Sequence, residues 1–125
     1  MSQQLQVFGG LSYSDSIGQE QSLYTAQDDP DVVSVATEAI ARMTQNIGTS
    51  EEALNLGNIA TLGYIYIKNL SETNFVQLRT ATSGTYFCKL KPGEIAVFRF
   101  GSGVTAPYAI ADTAACDVEY FLISN

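Results

Sequence analysis

Along its second half the chain alternates apolar and polar positions with a period near two, the spacing of strands rather than helices. After Gly63, the run Tyr64-Ile65-Tyr66-Ile67-Lys68 is β-branched and aromatic, which suits a pleated, half-buried surface. It ends in the turn-rich stretch Asn69-Leu70-Ser71-Glu72-Thr73-Asn74. Phe75 to Thr80 alternates again, with Val76 and Leu78 on one face and Gln77 and Arg79 on the other. Thr82-Ser83-Gly84 turns the chain into Tyr86-Phe87-Cys88. In Leu90-Lys91-Pro92-Gly93-Glu94, Pro and then Gly at the two central positions predict a type II turn, whose second central residue takes positive φ. Ile95 to Phe100 follows and is stopped by Gly101-Ser102-Gly103; after Val104 to Ile110, Val118 to Ile123 forms the last strand. Five or six short strands separated by turns predict a single all-β domain, a sandwich or barrel.

The first half is less regular. Val32, Val35, Ala36, Ala39, Ile40 and Met43 fit a helical stripe, with Asp29-Pro30 as cap and first helical residue. Val33, Val35, Thr37, Ala39 and Ala41 alternate equally well with polar neighbours, and the all-β context favours strands. Residues 1–31 are rich in glutamine and serine, with Leu5 and Val7, then Leu11 and Tyr13, spaced for one or two short strands. They are expected to form a polar N-terminal arm or edge strand of the same domain, with the sandwich proper at 32–125.

Charge and composition narrow the function. The 125 residues carry 13 acidic and 6 basic side chains, net −7, and 46% are hydrophobic. That excludes a disordered tail and disfavours a nucleic-acid partner, since no basic cluster offsets the acidity. Histidine is absent, which removes the commonest general base and transition-metal ligand and rules out a Ser-His-Asp triad. A serine–lysine or threonine nucleophile is left as a formal possibility only. The N-terminus lacks the basic and apolar regions of a signal peptide, and no apolar run reaches the roughly 18 residues of a membrane span. A soluble protein that is not exported by a signal peptide is expected, with no membrane partner.

Candidate chemistry is sparse. Cys88 and Cys116 have no metal-ligand spacing and read as small hydrophobes of a reducing compartment, with a disulfide open only if their strands are neighbours. Asp28, Asp29 and Asp31 lack the glycine and terminal glutamate of a calcium loop and read as a solvated loop. Thr49-Ser50-Glu51-Glu52 has the look of a helix-capping turn, and Glu94 and Asp112 read as surface residues. Gly101-Ser102-Gly103 is not followed by the Lys-Ser/Thr of a phosphate loop. No cofactor and no metal are expected.

Tyrosine stands out, with seven against no tryptophan. If Ile65 and Ile67 face the core, Tyr64 and Tyr66 form a stripe on the opposite sheet face, open to a sugar or a protein unless the chain's own loops cover it. Ile95 to Phe100 and Val118 to Ile123 are apolar at both parities, which predicts burial on both faces and hence a neighbouring subunit or a docked partner. Leu5, Val7, Phe8, Tyr13, Tyr64 and Tyr66 are the candidate protein-interface residues.

Leu56-Gly57-Asn58-Ile59, Gly63 to Leu70, Thr73-Asn74-Phe75-Val76, Leu90 to Glu94 and Val118 to Ile123 together resemble a class of small virion structural proteins of tailed bacteriophages, over about the last 70 residues. The resemblance implies an antiparallel, jelly-roll-like β-sandwich made in the host cytoplasm, among which capsid decoration (cement) proteins come first. Such a protein sits on the outer capsid surface, binds and bridges major capsid subunits, and associates with itself as a homodimer or homotrimer. It supplies no catalytic residues. The rivals are a tail or baseplate component, a carbohydrate- or receptor-binding module using Tyr64 and Tyr66, and, last, a small hydrolase using Glu94 or Asp112.

Overall fold

The computed structural model describes residues 3–14, 20–24, 31–35 and 40–124. Among them every regular element is a strand, and the chain divides into two compact units, residues 1–37 and 38–125. In the first, β1 (Gln3–Val7) pairs antiparallel with β4 (Asp31–Val35), and β2 (Gly10–Ser14) with β3 (Glu20–Tyr24). Residues 31–35 and 40–47 are therefore strands, and β4 lies with the N-terminal unit.

The second unit holds β5 (Ile40–Ile47), β6 (Glu52–Ala53), β7 (Leu62–Asn69), β8 (Val76–Arg79), β9 (Cys88–Leu90), β10 (Ile95–Arg99), β11 (Tyr108–Ala111) and β12 (Cys116–Ser124). They form two four-stranded antiparallel sheets, ordered β10-β7-β12-β5 and β6-β11-β8-β9, packed as a β-sandwich. The pairing is nested: β8 pairs with β9, β7 with β10, β6 with β11 and β5 with β12. Ladders β7·β12 and β8·β11 then join the pairs into sheets.

Alternation delivers the core. Ile65 and Ile67 of β7, Val118, Tyr120 and Leu122 of β12, Val76 and Leu78 of β8 and Ala109 and Ala111 of β11 are all buried in one cluster. Burying each larger aliphatic contributes roughly 1.5–3 kcal/mol, which is why period-two spacing fixes the register. Tyr120 is enclosed with its hydroxyl 2.7 Å from the Asn55 carbonyl and 2.8 Å from Gln45 Oε1, its one proton shared between them. Gly63 lies where β12 bulges between Leu122 and Ser124; a Cβ there would come within 2.7 Å of the Ser124 carbonyl oxygen and 2.8 Å of that of Ile123.

The turn stretches converge on one corner. Asn69, fully buried, donates from Nδ2 to the carbonyls of Asn74 (2.8 Å) and Leu90 (3.0 Å), and its Oδ1 accepts Ser71 N–H (3.0 Å). Its carbonyl accepts Gly93 N–H, and its own N–H donates to the Glu94 carbonyl, both at 3.0 Å. The Pro92-Gly93 turn is as expected, with Gly93 at φ 80° and Glu94 N–H donating to the Lys91 carbonyl at 3.0 Å. Three of the stretches that carried the resemblance, around Asn69, Asn74 and Leu90 to Glu94, thus meet at a structural joint between the two sheets.

Several expectations are corrected. Ile95 to Phe100 is not buried on both faces: Ile95 is 54% and Val97 41% exposed, because β10 is the end strand of its sheet. Thr49 to Glu52 starts no helical turn; Glu52 opens β6, its Oε2 accepting Gly48 N–H at 3.2 Å. The strand expected at Tyr86 begins at Cys88, leaving Phe87 52% exposed. Glu94 is exposed and Asp112 half-buried. Cys88 and Cys116 lie in different sheets and are both free, and only Cys116 is fully buried.

Candidate interaction surface

The residues that alternate away from the core make up the outer face of the β10-β7-β12-β5 sheet. Its register aligns Val97, Tyr66, Phe121 and Arg42 in one row across all four strands. Ile95, Lys68, Glu119 and Thr44 form the next, and Arg99 lies opposite Tyr64. Tyr64, Tyr66 and Phe121 are half-buried, and Ile95 and Val97 are exposed, as is Ile40 at the far edge (58%).

The side of each ring is set by backbone pairing. Asn69 N–H donates to the Glu94 carbonyl and Phe100 N–H to that of Gly63 (2.8 Å), so the intervening Val97·Tyr66 and Arg99·Tyr64 pairs are non-hydrogen-bonded ones, with the closer side chains. Arg99 accordingly stacks its guanidinium over Tyr64, 4.7 Å from the ring centroid. The face is a row of rings and aliphatics with Arg99 on one side and Lys68 beside Glu119 on the other. With strands about 4.8 Å apart and same-face residues about 6.8 Å apart, three rows cover roughly 400 Å². A stable partner contact needs about 800 Å² a side, so one copy of this face provides about half.

Other clusters are occupied with holding the fold. On the outer side of the second sheet, Arg79 ion-pairs with Glu51, donates to the Gly84 carbonyl (2.9 Å) and stacks on Tyr86 at 4.6 Å. That pins the β8–β9 loop. Phe87 meets Phe98 edge-on at 5.5 Å, and Phe98 meets Phe100 at 5.1 Å, closing the side of the sandwich where β9 and β10 are the end strands. Burial pushes the Cys88 thiol up, and Glu94 adds to that, which makes it a poor nucleophile. A cleft of about 300 Å³ beside Arg99 is lined by Thr61, Ser102, Thr105 and the Gly101–Gly103 loop, without a carboxylate or thiol. Glu94 Oε1 accepts Lys91 N–H at 2.7 Å, which gives it a turn-capping role. Among the described residues no group of three or more histidine, cysteine, aspartate or glutamate side chains could hold a metal; Asp28 and Asp29 lie outside them.

Of the candidates read from sequence, Tyr64 and Tyr66 do share the outer face opposite Ile65 and Ile67. Leu5 and Val7 on β1 are half-buried and Phe8 is 41% exposed, within the N-terminal unit; the side chain of Tyr13 lies outside the described residues. Sequence reasoning missed Ile95, Val97 and Phe121 as members of the face, having assigned them to doubly covered strands. Their parity with Arg99 and Glu119 was the available signal. Compared with known protein families, characterised proteins and solved structures, the chain matches none.

Proposed function

We propose that the chain is a non-enzymatic structural protein of a tailed-bacteriophage particle. In this proposal it is a capsid decoration protein that is made in the host cytoplasm and docks on the outer shell, bridging major capsid subunits. The observation that carries this is the outer face of the β10-β7-β12-β5 sheet, where Tyr66, Phe121 and Val97 form one row flanked by Arg42. Aromatics and arginine are the residues that dominate protein–protein contacts. The nested strand pairing supports a jelly-roll form of the sandwich, the form the resemblance implied.

The mechanism is mechanical. A face of roughly 400 Å² is too small for tight one-to-one binding, but contacts to several subunits of one shell act together through effective concentration. Weak individual contacts then hold the shell against internal pressure. Co-sedimentation of the full chain with expanded heads that lack it tests this, with stoichiometry read by densitometry. Saturable binding at many copies per head is expected; absence of binding refutes the decoration role.

A second reading has its own observation: Tyr64 and Tyr66 lie two residues apart on one strand face, a spacing that offers stacking platforms to sugar rings. It predicts affinity for a host polysaccharide that Tyr66→Ala abolishes while head binding is absent.

A further inference from the structure

We propose that the open edge of β10 takes a strand from residues 1–37 of a second copy of this chain, so that copies associate head to tail. Two observations independent of any capsid role carry this. First, among the described residues β10 ends its sheet, and with Glu94 and Phe100 bonded to β7, alternation turns the main-chain N–H and C=O of Ile95 and Val97 outward. The side chains of both are exposed and β-branched. Such an edge is a template for an added strand, and neither side chain there carries the charge that natural edges use to prevent pairing.

Second, charge selects the occupant. Lys68, Lys89, Lys91 and Arg99, four of the six cationic residues, lie on β10, on the strand it pairs with, or on β9 and the turn leading into β10. Only Glu94 opposes them within these elements. Two such edges would repel each other, which disfavours β10 pairing with its own copy. Residues 1–37 are the converse: Asp15, Glu20, Asp28, Asp29 and Asp31 with no lysine or arginine, in a unit whose described elements are all strands. An acidic segment, whose strands β3 and β4 each open on an acid (Glu20 and Asp31), set against a basic edge has the complementarity that steers association. One arm docking on one edge is a heterologous contact, which closes into a ring or runs on as a chain of copies.

Sedimentation velocity of the full chain at about 10 mM and about 150 mM salt tests this, because the screening length falls from about 30 Å to about 8 Å between them. Association that weakens by about tenfold or more at the higher salt is expected. Lys91→Glu and Val97→Glu, both at exposed positions, each weaken it by about tenfold at low salt without changing the thermal melt. Reversing the arm with Asp28→Lys, Asp29→Lys and Asp31→Lys does the same. Mixing the arm-reversed chain with the Lys91→Glu chain restores association, since each then offers what the other lacks. A monomer at both salt concentrations, association indifferent to Val97→Glu, or association lost at the edge but indifferent to arm reversal would each overturn the proposal. Failure to bind heads would leave these outcomes unchanged.

Discussion

Asn69→Asp replaces one nitrogen by one oxygen at the joint between the sheets. The native Nδ2 donates two hydrogen bonds, to Asn74 and Leu90 carbonyls at 2.8 and 3.0 Å, from a residue with no exposure. An ionised aspartate keeps the bond from Ser71 N–H but turns an acceptor toward those two carbonyls. Each of the two carbonyls left unsatisfied costs about 1–3 kcal/mol, the lost bond included. The variant should lose about 2–6 kcal/mol at pH 7, a large share of the roughly 5–15 kcal/mol a domain possesses. In urea, with a slope of about 2 kcal/mol per molar, the midpoint falls by about 1–3 M. The charge also fixes a pH signature. Burial against two carbonyls raises the carboxyl pKa in the folded state above its unfolded value of about 3.9. The native state therefore binds the extra proton, and stability present at acid pH is lost as pH rises through the raised pKa. Once protonated, the acid can donate to one of the two carbonyls. Urea melts at pH 7 and pH 5, with Asn69→Leu as the uncharged control, should show the aspartate variant recovering on acidification relative to that control. A midpoint within about 0.5 M of the native chain at pH 7, or no recovery at pH 5, would refute the assigned donor role.

Tyr120 carries an alkaline counterpart, since burial pushes its hydroxyl up to about 12. Its folded pKa lies above the unfolded value of about 10, so roughly 2–3 kcal/mol of stability is present below pH 10 and is lost as pH rises through 12. Tyr120→Phe should cost about 1–2 kcal/mol at pH 7 and remove that dependence, read by denaturant melts and by the difference in tyrosinate absorbance. Gly63→Ala forces a methyl against the carbonyls of the β12 bulge and should cost about 1–3 kcal/mol in thermal melts; Gly93→Ala meets open space but holds φ 80° and should cost about 1 kcal/mol. Tyr66→Ala, at the centre of the outer face, should weaken head binding by about tenfold or more while the fold persists; unchanged binding would remove that face from the proposed contact.

Strand identity was legible because side-chain parity is local. Ile65 and Ile67 against Tyr64 and Tyr66, or Val76 and Leu78 against Gln77 and Arg79, announce both the element and its buried side. What parity cannot convey is which strands end a sheet. Ile95 to Phe100 reads the same whether central or terminal, so its two apolar faces suggested burial that the end position does not provide. Asn69 was equally opaque: an asparagine after a strand suggests a turn, and only the meeting of residues 74, 90 and 94 around it explains its burial. The candidate surface was half visible, through Tyr64 and Tyr66. The rest needed the cross-strand register that sets Val97 and Phe121 beside them.

The nesting of the strands also sets an order in time. Leu78 meets Cys88 across a short loop, whereas Ile40 meets Ile123 from opposite ends of the sandwich sequence. Closing the innermost pair costs little chain entropy, and each enclosing pair can form cheaply only after the one inside it. Folding is therefore expected to zip outward from the β8·β9 hairpin. During synthesis β5 emerges well before its partner β12, so the longest ladder among the described strands is expected to be the last to form.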